Sequence, residues 1–264
     1  MLELHQARKR FLAGGANPVT ALDDISLALQ PGEFVTVIGS NGAGKSTLLK
    51  SIAGLVTLDS GRIVLDGRDL THAPVHARAA LIGRIAQDPL ESTCAIMTIE
   101  ENLAIAVKRG QRRGLARAVT AASRDRFRAA LADVGLGLEA RLGVRVGTLS
   151  GGQRQALALL MATIARPRLL LLDEHLASLD PKTAEAVMQL TGRLIAAESL
   201  TSLMVTHNMQ EAIRWGDRLI MMHGGRIVFD ARGVEKRKLS VPTLIEKFHE
   251  VSRTAFASDR ALLS

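Results

Sequence analysis

FVTVIGSNGAGKSTLLKSIAG, residues 34–54, decides the fold of this chain. Its first five residues are an apolar run of β type, ending in Gly39-Ser40-Asn41-Gly42-Ala43-Gly44-Lys45-Ser46-Thr47. That is the spacing G-x-x-x-x-G-K-[ST] lying between a strand and a helix, the P-loop pattern. The glycines let successive backbone N–H groups turn inward and cradle an anion. Lys45 then reaches the β- and γ-phosphates of a nucleotide, and the Ser46 hydroxyl ligates Mg²⁺. Leu48, Leu49, Ile52 and Ala53 share one face of the following helix, and Gly54 is placed to cap it.

A second glycine pair stands at Leu149-Ser150-Gly151-Gly152-Gln153. Ser150 and Gln153 have the spacing of a capping box, and QRQALALLMATIA after them is a good helix former. Each glycine costs a helix about 1 kcal/mol relative to alanine, so a cap alone does not favour them. They are useful where an anion must approach the N–H groups of a helix start. By itself the stretch is either an ordinary capped helix or a phosphate site, and the P-loop tips it toward the second.

The third signal is RLLLLDE, residues 168–174. Four leucines in a row read as a central parallel strand buried on both faces. Acids at the carboxyl end of such a strand lie where open α/β sheets bind ligands. Asp173 suits a Mg²⁺-holding role, leaving Glu174 to orient and deprotonate an attacking water. Taken alone, the two acids more commonly serve only to cap the next helix. A further apolar run, Ser202–Thr206, leads to His207; a lone histidine after a strand is usually structural and gains meaning only beside the other motifs.

Taken in order, GSNGAGKST, Gln87 in IAQDP, LSGGQRQ, LLLLDE, SLD at 178–180 and His207 resemble the ATP-binding subunits of ABC transporters. The likeness runs from about residue 2 to about residue 250, and LSGGQ between a P-loop and an acidic strand end is its most specific part. QDPLESTCAIMTIEENLAIAVKRGQRRGL and DEHLASLDPKT resemble stand-alone subunits of bacterial uptake systems, in a group linked to aromatic or similar amino acids.

The resemblance implies an α/β fold: a P-loop core with a mixed, largely parallel sheet, an antiparallel β lobe and an inserted helical lobe. It also implies roles. Residues Ser40 to Thr47 bind ATP, Gln87 contacts Mg²⁺ or the attacking water, and His207 bridges the γ-phosphate and the catalytic groups. Ser150, Gly151, Gly152 and Gln153 bind ATP held by an opposite copy of the chain, and Asp180 communicates across that dimer interface. An aromatic residue near the N-terminus, most often tyrosine, stacks on adenine; this chain has no tyrosine, and Phe11 is the best-placed substitute. His175 stands where many relatives carry proline.

Composition agrees. The chain has 264 residues, 47% hydrophobic content and a single cysteine, which forbids an intrachain disulfide and a cysteine metal cluster. No uncharged apolar run reaches the roughly 18 residues of a membrane span, and MLELHQARKRF lacks a secretory h-region. These features point to the cytoplasm. The resemblance implies a place on the cytoplasmic face of the inner membrane, on a separate permease, with an extracytoplasmic solute-binding protein as an indirect partner. The net charge of +8 gathers in KRGQRRGLAR (108–117) and EKRKL (235–239). These runs read as solvated faces first, and as neighbours of an anionic leaflet second. Nucleic acid comes last, because no aromatics interleave them.

The expected layout is one ABC ATPase domain over residues 1–264. Its β lobe and P-loop core cover about 1–87, its helical lobe about 88–163, its continued core about 164–234, and its C-terminal helix and tail the rest. Thr98 to Glu101 opens one helix as a capping box, and LARAVTAASRDRFRAALADVGL carries another into Gly135. DRLIMMH-Gly224-Gly225-RIVFD reads as a hairpin with a two-residue turn. Leu244, Ile245, Phe248 and Val251 form an apolar stripe before a loosely ordered tail. The competing reading is a soluble ABC-type ATPase acting on nucleic acid or ribosomes. Such proteins usually carry two ATPase units, a long coiled coil or zinc cysteines, none of which is seen in this sequence.

Overall fold

The computed structural model describes residues 1–12, 18–111, 114 and 117–250. In chain order the elements are β1 (Leu2–Phe11), β2 (Val19–Leu29), β3 (Phe34–Gly39), α1 (Lys45–Ala53), β4 (Ser60–Leu65), β5 (Arg68–Asp69), α2 (Val75–Arg78), β6 (Ile82–Ile85), α3 (Pro89–Ser92) and α4 (Ile99–Val107). There follow α5 (Ala121–Val134), a 3₁₀ turn (Val146–Thr148), α6 (Gly151–Thr163), β7 (Leu169–Asp173), α7 (Pro181–Glu198), β8 (Thr201–Val205), α8 (Met209–Arg214), β9 (Arg218–His223), β10 (Arg226–Arg232) and α9 (Gly233–Arg237). Residues 241–250 are helical up to the last described position. The chain divides into two compact units, one of residues up to Ala73 and from Leu203 on, the other Pro74–Ser202.

In the first unit β2, β1, β4 and β5 form an antiparallel sheet. Leu2, Leu4, Ala7, Leu22, Ile25, Leu27 and Leu29 alternate into its buried face. The alternation slips where β1 and β2 shift register between Leu4 and Ala7, beside Gln6 at φ 47°. β3 pairs in parallel with β9, and β9 pairs antiparallel with β10. The β9–β10 turn is the expected glycine pair, with His223 opposite Arg226 and both Gly224 (φ 52°) and Gly225 (φ 78°) left-handed. Gly54 caps α1 at φ 83°, its N–H bonded to the Lys50 and Ser51 carbonyls.

In the second unit β6 and β7 pair in parallel, and all five residues of β7 are buried. α6 packs against α7, α4 and α5. Ten of its thirteen residues are buried, so it is apolar nearly all round. Thr98 and Glu101 complete the capping box of α4. α5 starts later than its sequence period alone implies: Thr120 takes the Ser123 N–H on its side chain and fixes the first turn at Ala121. Residues 135–150 are not α-helical, so the 88–163 stretch is helical only in part.

Two further expectations need correcting. Lys236 in the second basic run is not solvated: it is 3% exposed, and its Nζ donates to the carbonyls of Trp215 and Gly216 beyond the end of α8. In the apolar stripe Leu244 is buried and Phe248 packs against a core of Ile38, Ala212, Leu219 and Met221, but Ile245 turns outward. Val251, the tail, and part of the first basic run lie outside the described residues.

Candidate functional site

The P-loop belongs to the first unit, and its geometry follows from its glycines. A Cβ at Gly39 would meet the Met222 carbonyl oxygen at 2.2 Å, and one at Gly44 (φ 97°) the Ala21 carbonyl oxygen at 2.1 Å. Both positions are therefore closed to any other residue. Gly42 (φ 79°) opens onto space with nothing within 4 Å, as an anion cradle requires. The Lys45 side chain is almost wholly buried, and its Nζ donates to Gly39 O at 2.8 Å and Ser40 O at 3.0 Å. The ammonium is thus held along the loop where phosphates would lie. Ser46 and Thr47 follow in the first turn of α1, while Ser40 and Asn41 form the mouth of the loop.

The sequence did not point to the support under this loop. The β9–β10 turn touches it, Gly225 N–H donating to Ala43 O at 3.2 Å while Gly225 O accepts from Asp23 N–H at 2.9 Å. His207 follows β8 and is exposed, beside Asn208, whose side chain caps α8. Phe11 ends β1, is 39% exposed, and lies under the Lys9 ammonium at 5.5 Å from the ring centroid.

The second unit holds the acids. Asp173 ends β7 and is 4% exposed. Glu174 turns its backbone left-handed, at φ 45°, and its carboxylate accepts from Gln87 Nε2 at 3.4 Å. His175 is buried, and burial pushes its imidazole down to about 4, leaving it neutral at pH 7.

In this unit LSGGQ and SLD come together. Ser150 accepts from Gln153 N–H, and Gln153 returns a bond to Ser150 N–H, closing the capping box of α6. Gly151 lies against Leu179, with its would-be Cβ 3.3 Å from Leu179 Cδ2. A Cβ at Gly152 would fall 2.2 Å from Thr183 Cγ2 on α7. Asp180 caps α7 by accepting from Thr183 N–H at 3.1 Å, and the Thr183 hydrogen bonds hold its carboxyl below the usual carboxylate range. Gly152 thus has a packing cause, contact with Thr183 on α7, that its local sequence could not reveal, while Gly151 is crowded by Leu179 just before that helix.

The sequence profile of the ABC transporter family matches residues 22–177. The chain belongs to this family. It is 42% identical over 248 residues to a tyrosine transport ATP-binding protein of Clostridioides difficile, covering 94% of this chain and 98% of that protein. It is 36% identical over 224 residues to a probable branched-chain amino acid transport ATP-binding protein LivF of Archaeoglobus fulgidus, covering 85% and 91% respectively. Among solved structures it is similar to the dimeric, post-hydrolysis ATP-binding cassette MJ0796 bound to ADP and Pi. That match has a TM-score of 0.76 and 27% identity, over 88% of this chain and 98% of the other. The chain is accordingly an ABC ATPase, the nucleotide-binding, energy-coupling subunit of a transporter. Among the described residues no helix is long and apolar enough to cross a membrane.

Proposed function

We propose that this ABC ATPase drives solute uptake, with amino acids as the substrate class, from the cytoplasmic face of the inner membrane. The observation that carries the substrate class is the 42% identity, along nearly the whole of both chains, to a protein named for tyrosine transport. A permease is the direct partner and an extracytoplasmic solute-binding protein the indirect one. The segment after Gln87 supports permease docking, because Leu90 and Ile96 stand 48% and 81% exposed beside it.

The proposed dimer is head to tail. ATP held by Gly42, Gly44, Lys45, Ser46 and Thr47 of one copy is covered by Ser150, Gly151, Gly152 and Gln153 of the other, with Asp180 at the same interface. Phe11 offers its exposed ring to adenine. Glu174 accepts the proton of the attacking water, Gln87 orients that carboxylate, and His207 contacts the γ-phosphate. Positioning and charge stabilisation supply most of the rate in such transfers.

Ser46, Gln87 and Asp173 are the residues that would hold Mg²⁺. They offer a hydroxyl, an amide oxygen and one buried carboxylate, hard donors of the number Mg²⁺ uses when it also binds substrate phosphates and water. Bound there, the ion would neutralise charge on the phosphates. The chain serves as one ATPase domain, with a β lobe, a P-loop core and a lobe that is helical in part.

The test is co-purification from membranes followed by reconstitution. The proposal expects a bound permease and ATP turnover stimulated by an amino-acid-loaded solute-binding protein. Turnover stimulated instead by DNA or ribosomes at physiological salt, and by no membrane protein, would overturn it.

A further inference from the structure

The turn after β7 carries a buried histidine to which the ATPase reading gives no work. Glu174 has φ 45°, a left-handed backbone that a residue with a long side chain keeps only where its surroundings impose it. One end of this turn is closed by main chain, with Ala177 N–H donating to Glu174 O at 3.0 Å. The Gln87 amide donates to the Glu174 carboxylate at 3.4 Å, a contact to the side chain that leaves the backbone of the turn to be held from elsewhere.

His175 supplies an anchor. It is 2% exposed, and its Nε2 lies 3.3 Å from Thr191 Oγ1 on α7. The Thr191 hydroxyl spends its proton on Val187 O at 2.8 Å, so towards the imidazole it acts as an acceptor. Nε2 therefore carries the ring proton and donates it to Thr191. This bond ties the residue after Glu174 to the rigid body of α7, whose start is capped by Asp180. A leucine at 175 would fill similar space but would have no direction.

We propose that His175 is a positioning residue for Glu174: its buried hydrogen bond to Thr191 holds the left-handed turn that sets the direction of the Glu174 carboxylate. The inference rests on Glu174 being the base. It accounts for an imidazole at an enclosed place in a turn that continues through Leu176, Ala177, Ser178 and Leu179.

Steady-state hydrolysis by the full chain tests it, with ATP binding and thermal stability measured alongside. Thr191→Val keeps the shape of residue 191 and removes the acceptor; His175→Leu removes the donor; His175→Gln restores an N–H of similar reach. Because small misplacements of reacting groups cost large rate factors, Thr191→Val and His175→Leu should each lower kcat about tenfold or more with KM for ATP within about twofold. His175→Gln should recover most of the loss, and the double variant His175→Leu/Thr191→Val should be no slower than the slower single.

A loss of thermal stability with kcat intact, a rise in KM with kcat intact, or a His175→Gln as slow as His175→Leu would each overturn the proposal. Glu174→Gln separates the two levels. Turnover near the parent rate in that variant removes Glu174 as the base, and the inference with it. An inactive Glu174→Gln beside a fully active Thr191→Val overturns the positioning role alone.

Discussion

Adding one methyl group at Gly152 probes the start of α6 most sharply. A Cβ there falls 2.2 Å from Thr183 Cγ2, with Thr183 Cβ and Oγ1 at 3.6 Å and 3.9 Å. Carbon atoms rest about 3.5–4.0 Å apart, so the two methyls must separate by roughly 1.5 Å. Either Thr183 changes rotamer or α6 and α7 part, and overpacking of this kind costs about 1–3 kcal/mol. Against it, replacing glycine by alanine returns up to about 1 kcal/mol of helix propensity.

Thr183→Ser removes only the clashing carbon. Gly152→Ala should therefore destabilise the parent chain but be neutral or stabilising in the Thr183→Ser background, a coupling of about 1–3 kcal/mol. Urea unfolding followed by circular dichroism, with midpoints compared at constant m, measures it. Equal effects of Gly152→Ala in both backgrounds would refute the packing argument. Hydrolysis by the same four proteins then tells packing from anion access. If Gly152→Ala/Thr183→Ser is stable but inactive, the glycine also serves the phosphate; if activity returns with stability, packing is its whole cause.

Three further outcomes are expected. Lys45→Ala removes the ammonium held at Gly39 O and Ser40 O, so ATP binding measured by calorimetry should fall below detection; retained affinity would contradict the P-loop role. The His175 imidazole falls from an ordinary 6.5 to about 4, so between those values the unfolded chain binds the proton that the native one refuses. Stability should thus decline as pH falls from about 6.5 to about 4, by ~3 kcal/mol from this group, and the decline should shrink in His175→Gln. Equal pH slopes in the two proteins would count against it. Leu171, fully buried at the middle of β7, should cost about 2–5 kcal/mol as Leu171→Ala by urea unfolding, and a loss under about 1 kcal/mol would mean the strand is not central.

The parts of the site that could be read from sequence are those whose causes are local. The P-loop needs only its own glycines, Lys45 and the flanking strand and helix. The four leucines before Asp173 announce a strand buried on both faces, and Ser150 with Gln153 announces a cap. What could not be read depends on residues brought from elsewhere in the chain. Gly152 is explained by Thr183 on another helix, and Gly39 by the Met222 carbonyl on β9. Lys236 sits in a run that looks solvated, yet the carbonyls of Trp215 and Gly216 past the end of α8 draw it inward. Ile245 follows Leu244 at a spacing of one, which on a helix turns it about 100° away from the buried face. His175 was visible as a departure from its relatives, but its bond to Thr191 was not.

The central claim is that ATP joins two copies of this chain, each completing the other's site, and that Glu174 ends that state by hydrolysis. The most direct measurement is the solution mass of Glu174→Gln by sedimentation equilibrium, with and without ATP. The account predicts a mass that doubles from 28.3 kDa when ATP is added, and stays doubled because hydrolysis is blocked. A Glu174→Gln chain that binds ATP yet remains at the single-chain mass would contradict it.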